Sequence, residues 1–111
     1  MSMHLPISEH DLQKLILDYL ALHRVFHYRQ NTGAFAAEYK GKKRFVRFGV
    51  KGLPDIICVV QGRYIGIELK REKLEQSKAQ VEFQVGLEHA KGKYILARTL
   101  EDVIQGLREA P

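Results

Sequence analysis

The 111-residue chain has one cysteine, three prolines and no tryptophan. A lone cysteine, Cys58, excludes an internal disulfide framework and suits a reducing compartment, so a cytoplasmic location is expected. The longest obvious apolar stretch, Ile56 to Val60, is far short of the ~18–20 residues of a membrane span, and no membrane partner is expected. The amino terminus lacks the basic n-region and apolar h-region of a signal peptide. No Pro/Gly/Ser-rich linker, internal repeat or low-complexity tract divides the sequence, so residues 1–111 are expected to form one domain. Hydrophobic residues make up 45% and charged residues 28%, a globular balance that argues against intrinsic disorder.

Acid is also in short supply: 13 Asp plus Glu stand against 18 Lys plus Arg, for a net charge of +5. The excess is local. The run KGKKRFVRFGVK holds Lys40, Lys42, Lys43, Arg44, Arg47 and Lys51, six bases and no acid, so the remainder of the chain is close to neutral. A local positive field of this kind suits a polyanion, because each neutralised phosphate releases condensed counterions. A solvated hairpin kept soluble by lysines is the plainer reading. Phe45, Val46 and Phe48 inside the run argue for an ordered strand over a tail.

Ser8 followed by Asp11 forms a capping-box pattern for a helix from Ser8 to about Arg24, with Leu12, Leu15, Ile16, Tyr19 and Leu20 as its apolar stripe. Val25 to Gln30 reads as a strand and Asn31-Thr32-Gly33 as a turn. Phe35 to Tyr39 and Arg44 to Phe48 read as a hairpin around Lys40-Gly41-Lys42. Asp55 to Val60 and Arg63 to Lys70 form a second, more β-branched hairpin about Gln61-Gly62. Ser77 caps a helix that Gly92 ends, Tyr94 to Ala97 is a buried strand, and Thr99 with Asp102 caps a closing helix. The order implies an α/β sandwich: a mixed sheet with flanking helices, its last strand made parallel by the crossover helix.

The chemistry lies in residues 52–72, GLPDIICVVQGRYIGIELKRE. A turn at Gln61-Gly62 pairs Val60 with Arg63 and brings Asp55 opposite Glu68 across neighbouring strands. Lys70, two residues on, projects from the same face, while Ile56, Cys58, Ile65, Ile67 and Leu69 take the other. Like charges set face to face on a sheet are destabilising. A hard cation such as Mg²⁺ supplies a reason for them, since it takes oxygen ligands and commonly one or two carboxylates. The plainer alternative is an ordinary Asp–Lys–Glu surface cluster.

Pro54-Asp55 followed by Glu68-Leu69-Lys70 resembles the signature of the PD-(D/E)XK nuclease superfamily. The fuller pattern resembles its VRR-NUC (virus-type replication-repair nuclease) branch. It consists of RQNTG from Arg29, RFGVKGLPD from Arg47, IELKRE from Ile67 and Gln80-Val81-Glu82-Phe83, and it covers roughly residues 8–104. The literal Pro54 follows the superfamily's name, although the branch often varies that position. The resemblance implies a restriction-endonuclease-like core, α-β-β-β-α-β plus a C-terminal helix. It implies Asp55, Glu68 and the Leu69 carbonyl as ligands of Mg²⁺, with Mn²⁺ as a substitute, and Lys70 as the catalytic lysine. Gln80 would support the lysine or the scissile phosphate. Glu9 matches a first-helix carboxylate that joins the metal site in many members; a first-turn acid favoured by the helix dipole is the alternative. Lys42, Lys43, Arg44, Arg47, Lys51, Arg29 and Asn31 would hold the nucleic acid, positioning without reading sequence. Cleavage leaving a 5′-phosphate and a 3′-hydroxyl is likewise implied.

The expected function is metal-dependent DNA endonuclease activity on branched or structured DNA, including Holliday junctions, in replication and repair. By family analogy the enzyme is a homodimer that sets two sites on one substrate; an origin in a phage or prophage is one option. A non-catalytic nucleic-acid-binding module and an RNA-directed nuclease are the alternatives. Other candidates read as structural: His23 and His27 lack a third zinc ligand, Ser77 is a cap, and Cys58 is buried and inert. Tyr28, Tyr39 and Tyr64 are either base-stacking or cross-strand aromatics.

Overall fold

A computed structural model describes residues 7–30, 34–39, 42–47, 50–71 and 73–109; for 34–39 and 42–47 the description is of backbone and register. The elements are α1 (Glu9–Leu22), β1 (Phe26–Arg29), β2 (Ala34–Tyr39), β3 (Lys42–Arg47), β4 (Ile56–Val60), β5 (Arg63–Leu69), α2 (Lys78–His89), β6 (Lys93–Ala97) and α3 (Leu100–Arg108). Four strands form a mixed sheet in the order β1-β4-β5-β6, antiparallel except for the parallel β5–β6 pair. The fold is a small α/β domain, as the element order implies. β2 and β3 pair only with each other, as a separate two-stranded sheet. No helix among the described residues is long and apolar enough to cross a membrane.

Local chemistry sets the boundaries. Ser8 Oγ accepts from the Asp11 N–H at 3.0 Å and starts α1. Ser77–Gln80 and Thr99–Asp102 form complete capping boxes on α2 and α3. Gln61 and Gly62 have φ of 50° and 79°, the positive pair that a two-residue type I′ hairpin turn requires. α2 ends differently from expectation. Its left-handed residue is Lys91, at φ 72°, not Gly92. Gly92 is needed for space, since a Cβ there would fall 2.8 Å from Leu87 Cγ.

The core lies between the sheet and the α1/α3 layer. Leu12, Ile16 and Leu20 of α1 and Val103 of α3 pack on Ile56, Cys58, Ile65, Ile67 and Leu69, with Ile95 and Ala97 from β6. Leu15, placed on the stripe by sequence periodicity, is 45% exposed. At about 100° per residue it lies about 100° around the helix from the line through Leu12, Ile16 and Leu20. α2 covers the opposite face and buries none of its own residues fully. Beneath it Pro54 is fully buried against Gly66, where a Cβ would fall 2.5 Å from Pro54 Cγ. The carboxylates of interest belong to this second face.

Candidate functional site

The β4–β5 register runs from Val60↔Arg63 to Ile56↔Ile67, so the next step sets Asp55 opposite Glu68. This is the pairing that the turn length predicts. Asp55 Oδ2 accepts from the Leu69 N–H at 2.8 Å, which fixes its carboxylate against the end of β5. Glu68 is 3% exposed. Gln80 Nε2 donates to Glu68 Oε1, while Gln80 Oε1 accepts from the Ser77 N–H at 2.8 Å. One amide thus caps α2 and fixes Glu68, and the cap determines which end of the amide points at the carboxylate. Glu68 Oε2 is buried with no hydrogen-bond partner among the described residues.

The electrostatics follow from this crowding. Burial, then the Asp55 charge, pushes Glu68 up to about 8, with the close Asp55–Glu68 side-chain contact and Glu9 adding in the same direction and Lys70 opposing; a proton kept on Glu68 would sit between the two acids. Burial also raises Asp55, against the Leu69 N–H and the charges of Lys70 and Arg29. Tyr94, on the same face, is 7% exposed, with Gln76 the polar side chain nearest its hydroxyl. Burial first, with Glu68 and Asp55 adding, lifts its phenol to about 12. A buried carboxylate facing another is costly when ionised, and either a retained proton or a bound cation relieves it. Among the described residues no ion pair within 4.0 Å joins Lys70 to either acid, so no ammonium fills the gap.

These donors fit a hard divalent ion held by Asp55 and Glu68, with phosphate oxygens and water completing its shell. Glu9, the expected first-helix carboxylate, acts on the pair only through its charge. Among the described residues no group of three or more His, Cys, Asp or Glu is placed to share an ion. Glu9 lies on the stripe of Leu12, Ile16 and Leu20, but that stripe packs on the opposite face of the sheet. Its charge reaches Glu68 from the exposed first turn of α1.

The basic positions are distributed. Lys42, Lys43, Arg44 and Arg47 all lie on β3, with Lys43 paired to Glu38 and Arg47 to Ala34 by backbone register. Lys51 is exposed in the turn before Pro54, and Arg29 ends β1. Asn31, Lys40 and the turns at Asn31-Thr32-Gly33 and Lys40-Gly41 lie outside the described residues, as does Phe48 at the end of its expected strand. His27 Nδ1 donates to the Val25 carbonyl at 2.7 Å, and the His23 ring sits 4.2 Å from that of Tyr19; both are packing histidines. Tyr28 is 46% exposed on the edge strand and Tyr64 is half-buried nearby.

Sequence reasoning passed over Gly52. At φ 79° its Cβ would lie 2.8 Å from Gln80 N and closer still to the Ala79 carbonyl. The loop leading to Asp55 is thereby pressed onto the first turn of the helix that carries Gln80. Gly62 has the same φ with open space around it, so Gly62→Ala isolates the backbone cost, about 1–2 kcal/mol. Gly52→Ala is expected to lower stability further, by at least about 1 kcal/mol more, on thermal denaturation of the two variants side by side.

No protein-family model matches the chain, and no curated protein matches it.

Proposed function

We propose that this chain is a metal-dependent nuclease that hydrolyses phosphodiester bonds in DNA, built on a restriction-endonuclease-like core of the VRR-NUC kind. The observation that carries this reading is the Asp55–Glu68 pair: opposed acids on adjacent strands, one nearly buried, with no ammonium paired to either among the described residues. Asp55 and Glu68, with the Leu69 carbonyl as the resemblance implies, would hold Mg²⁺ or Mn²⁺. Such an ion, when bound, supplies Lewis acidity toward a phosphoryl oxygen and a more acidic water.

The chain's own residues do the rest. Asp55 is kept in place by the Leu69 N–H, and Glu68 by Gln80 through the α2 cap. Lys70, two residues beyond Glu68 on the same face, is placed to stabilise charge developing on the phosphoryl oxygens or to orient the attacking water. Arg29 and Lys51 extend positive charge along the site, and the β3 bases add a grip that holds backbone without reading sequence. Branched DNA as substrate and a homodimer as the working unit are carried by the family resemblance, since two strands of a junction must be cut. A mass measurement in solution tests the dimer; a strict monomer that makes paired nicks would remove it.

The deciding experiment is one panel of supercoiled plasmid, duplex, flap, four-way junction and single-stranded RNA, each with Mg²⁺, Mn²⁺ or chelator. Cleavage of DNA, greatest on a branched substrate and lost in chelator, is the expected result. Cleavage of RNA alone would reassign the substrate. Salt-sensitive binding indifferent to Mg²⁺, with no nicking of any substrate, would leave a non-catalytic binding module. Lys70→Ala should lower the cleavage rate at least a hundredfold, on the order expected for loss of one charge-stabilising group, with Tm unchanged.

A further inference from the structure

We infer that Arg98 is a second phosphate-binding position of this site, holding a nucleic-acid backbone phosphate next to the one that Asp55 and Glu68 address; the inference rests on the nuclease reading above. Leu69 stands opposite Ala97 in the parallel β5–β6 pair. The ladder continues one step further, with the Lys70 N–H donating to the Ala97 carbonyl at 3.1 Å. Lys70 and Arg98 are therefore neighbours at the ends of the two strands. Leu69 and Ala97 both face the core, and the ladder carries strand alternation on to Lys70, which lies on the face of Glu68; Arg98 follows at the bend leading to α3.

Two cations set side by side repel, as two carboxylates do, and call for an anion. Lys70 bears on Asp55 and Glu68, and no acid among the described residues pairs with Arg98. Among the described residues the ion pairs are Lys78–Glu82 and Lys93–Glu109, and neither Lys70 nor Arg98 belongs to one. Asp102, four residues along, uses its Oδ2 to accept from the backbone N–H groups of Arg98 and Thr99.

The Arg98 side chain is also held ready. Its Nη1 donates to the Arg71 carbonyl at 2.7 Å, across the strand ends, and the residue is half-buried. A guanidinium anchored through one arm retains donors on the other, in the planar arrangement that matches a phosphate, and has less freedom to lose on binding. The cations that bear on Asp55 are Lys70 and Arg29. Arg98 stands one strand further away, beside β5 and not beside β4. It therefore serves substrate binding at an adjacent phosphate and not charge development at the reacting one.

The test is fluorescence anisotropy of a labelled duplex DNA in chelator across a salt series, with the intact protein and Arg98→Gln. Glutamine removes the charge and keeps a polar side chain of similar width. Expected is a several-fold rise in Kd and a fall of about one in the slope of log K against log salt. Arg98→Lys, which keeps the charge, should retain the slope. In Mg²⁺, Arg98→Gln should raise KM and leave kcat within about twofold. Wild-type Kd and slope in Arg98→Gln would overturn the inference while leaving the nuclease reading intact. A wild-type protein that neither binds DNA nor cleaves it with Mg²⁺ or Mn²⁺ would overturn both.

Discussion

Asp55→Ala and Glu68→Gln are each expected to reduce Mg²⁺-dependent cleavage by roughly 10³-fold or more, with the protein still folded. The size of the effect follows from how few groups converge. Two carboxylates would hold the proposed ion, and no group of three potential ligands is found among the described residues. Glu68→Gln is the sharper of the two tests. Glutamine has the shape of glutamate and an oxygen to accept from Gln80, so the packing under α2 survives while the charge is lost. A rate loss in this variant therefore reads the carboxylate's chemistry and not a collapsed cavity. Retained cleavage after repurification away from contaminating nucleases would remove both residues from the site.

The metal-free protein should lose stability between about pH 5 and pH 8, and Mn²⁺ or Mg²⁺ should restore it most at the upper end. Glu68 has its ordinary value of 4.5 in the unfolded chain and is pushed up to about 8 by burial and by Asp55 in the fold. Between those values the folded protein holds a proton that the unfolded chain has released. Stability is then fully present below the unfolded value and falls as pH rises through the folded one. A bound divalent cation favours the ionised pair and reverses the trend. In chelator, Tm at pH 8 should lie roughly 5 °C or more below that at pH 5, the shift that about 1 kcal/mol produces in a domain of this size. Glu68→Gln should flatten this dependence and melt higher than the parent at pH 8. A chelated wild-type protein whose Tm is level across that range would show that the pair carries no such strain.

Much of the architecture was legible because short-range chemistry determines it. The Ser8, Ser77 and Thr99 caps located three helix starts from side-chain oxygens alone, although the reciprocal box expected at Ser8 forms at Ser77 instead. The crossover helix made the last strand parallel, as a connection of that length requires. The carboxylate pair was legible for a related reason: strand alternation and a two-residue turn are enough to decide which side chains meet. Features that depend on the approach of distant segments were not legible. Nothing local says that Gly52 touches the first turn of α2, or that Arg98 reaches the Arg71 carbonyl, because 27 residues separate the two arginines. Leu15 and Lys91 show the limits of periodicity and of glycine spotting. An apolar residue at the margin of a stripe stayed in solvent, and a lysine took the left-handed position next to an available glycine.

The Gln61–Gly62 bend is exposed and far from the acids, yet its length governs them. One residue more at that tip, if the two-residue turn were kept and the register slipped, would turn Glu68 into the hydrophobic layer and bring an isoleucine or leucine out to face Asp55. Surface loops ordinarily drift freely in length between relatives. Changes of letter here carry the backbone cost of a left-handed residue, whereas insertions or deletions that slip the register at this open corner are predicted to be as damaging as substitutions at the molecule's centre.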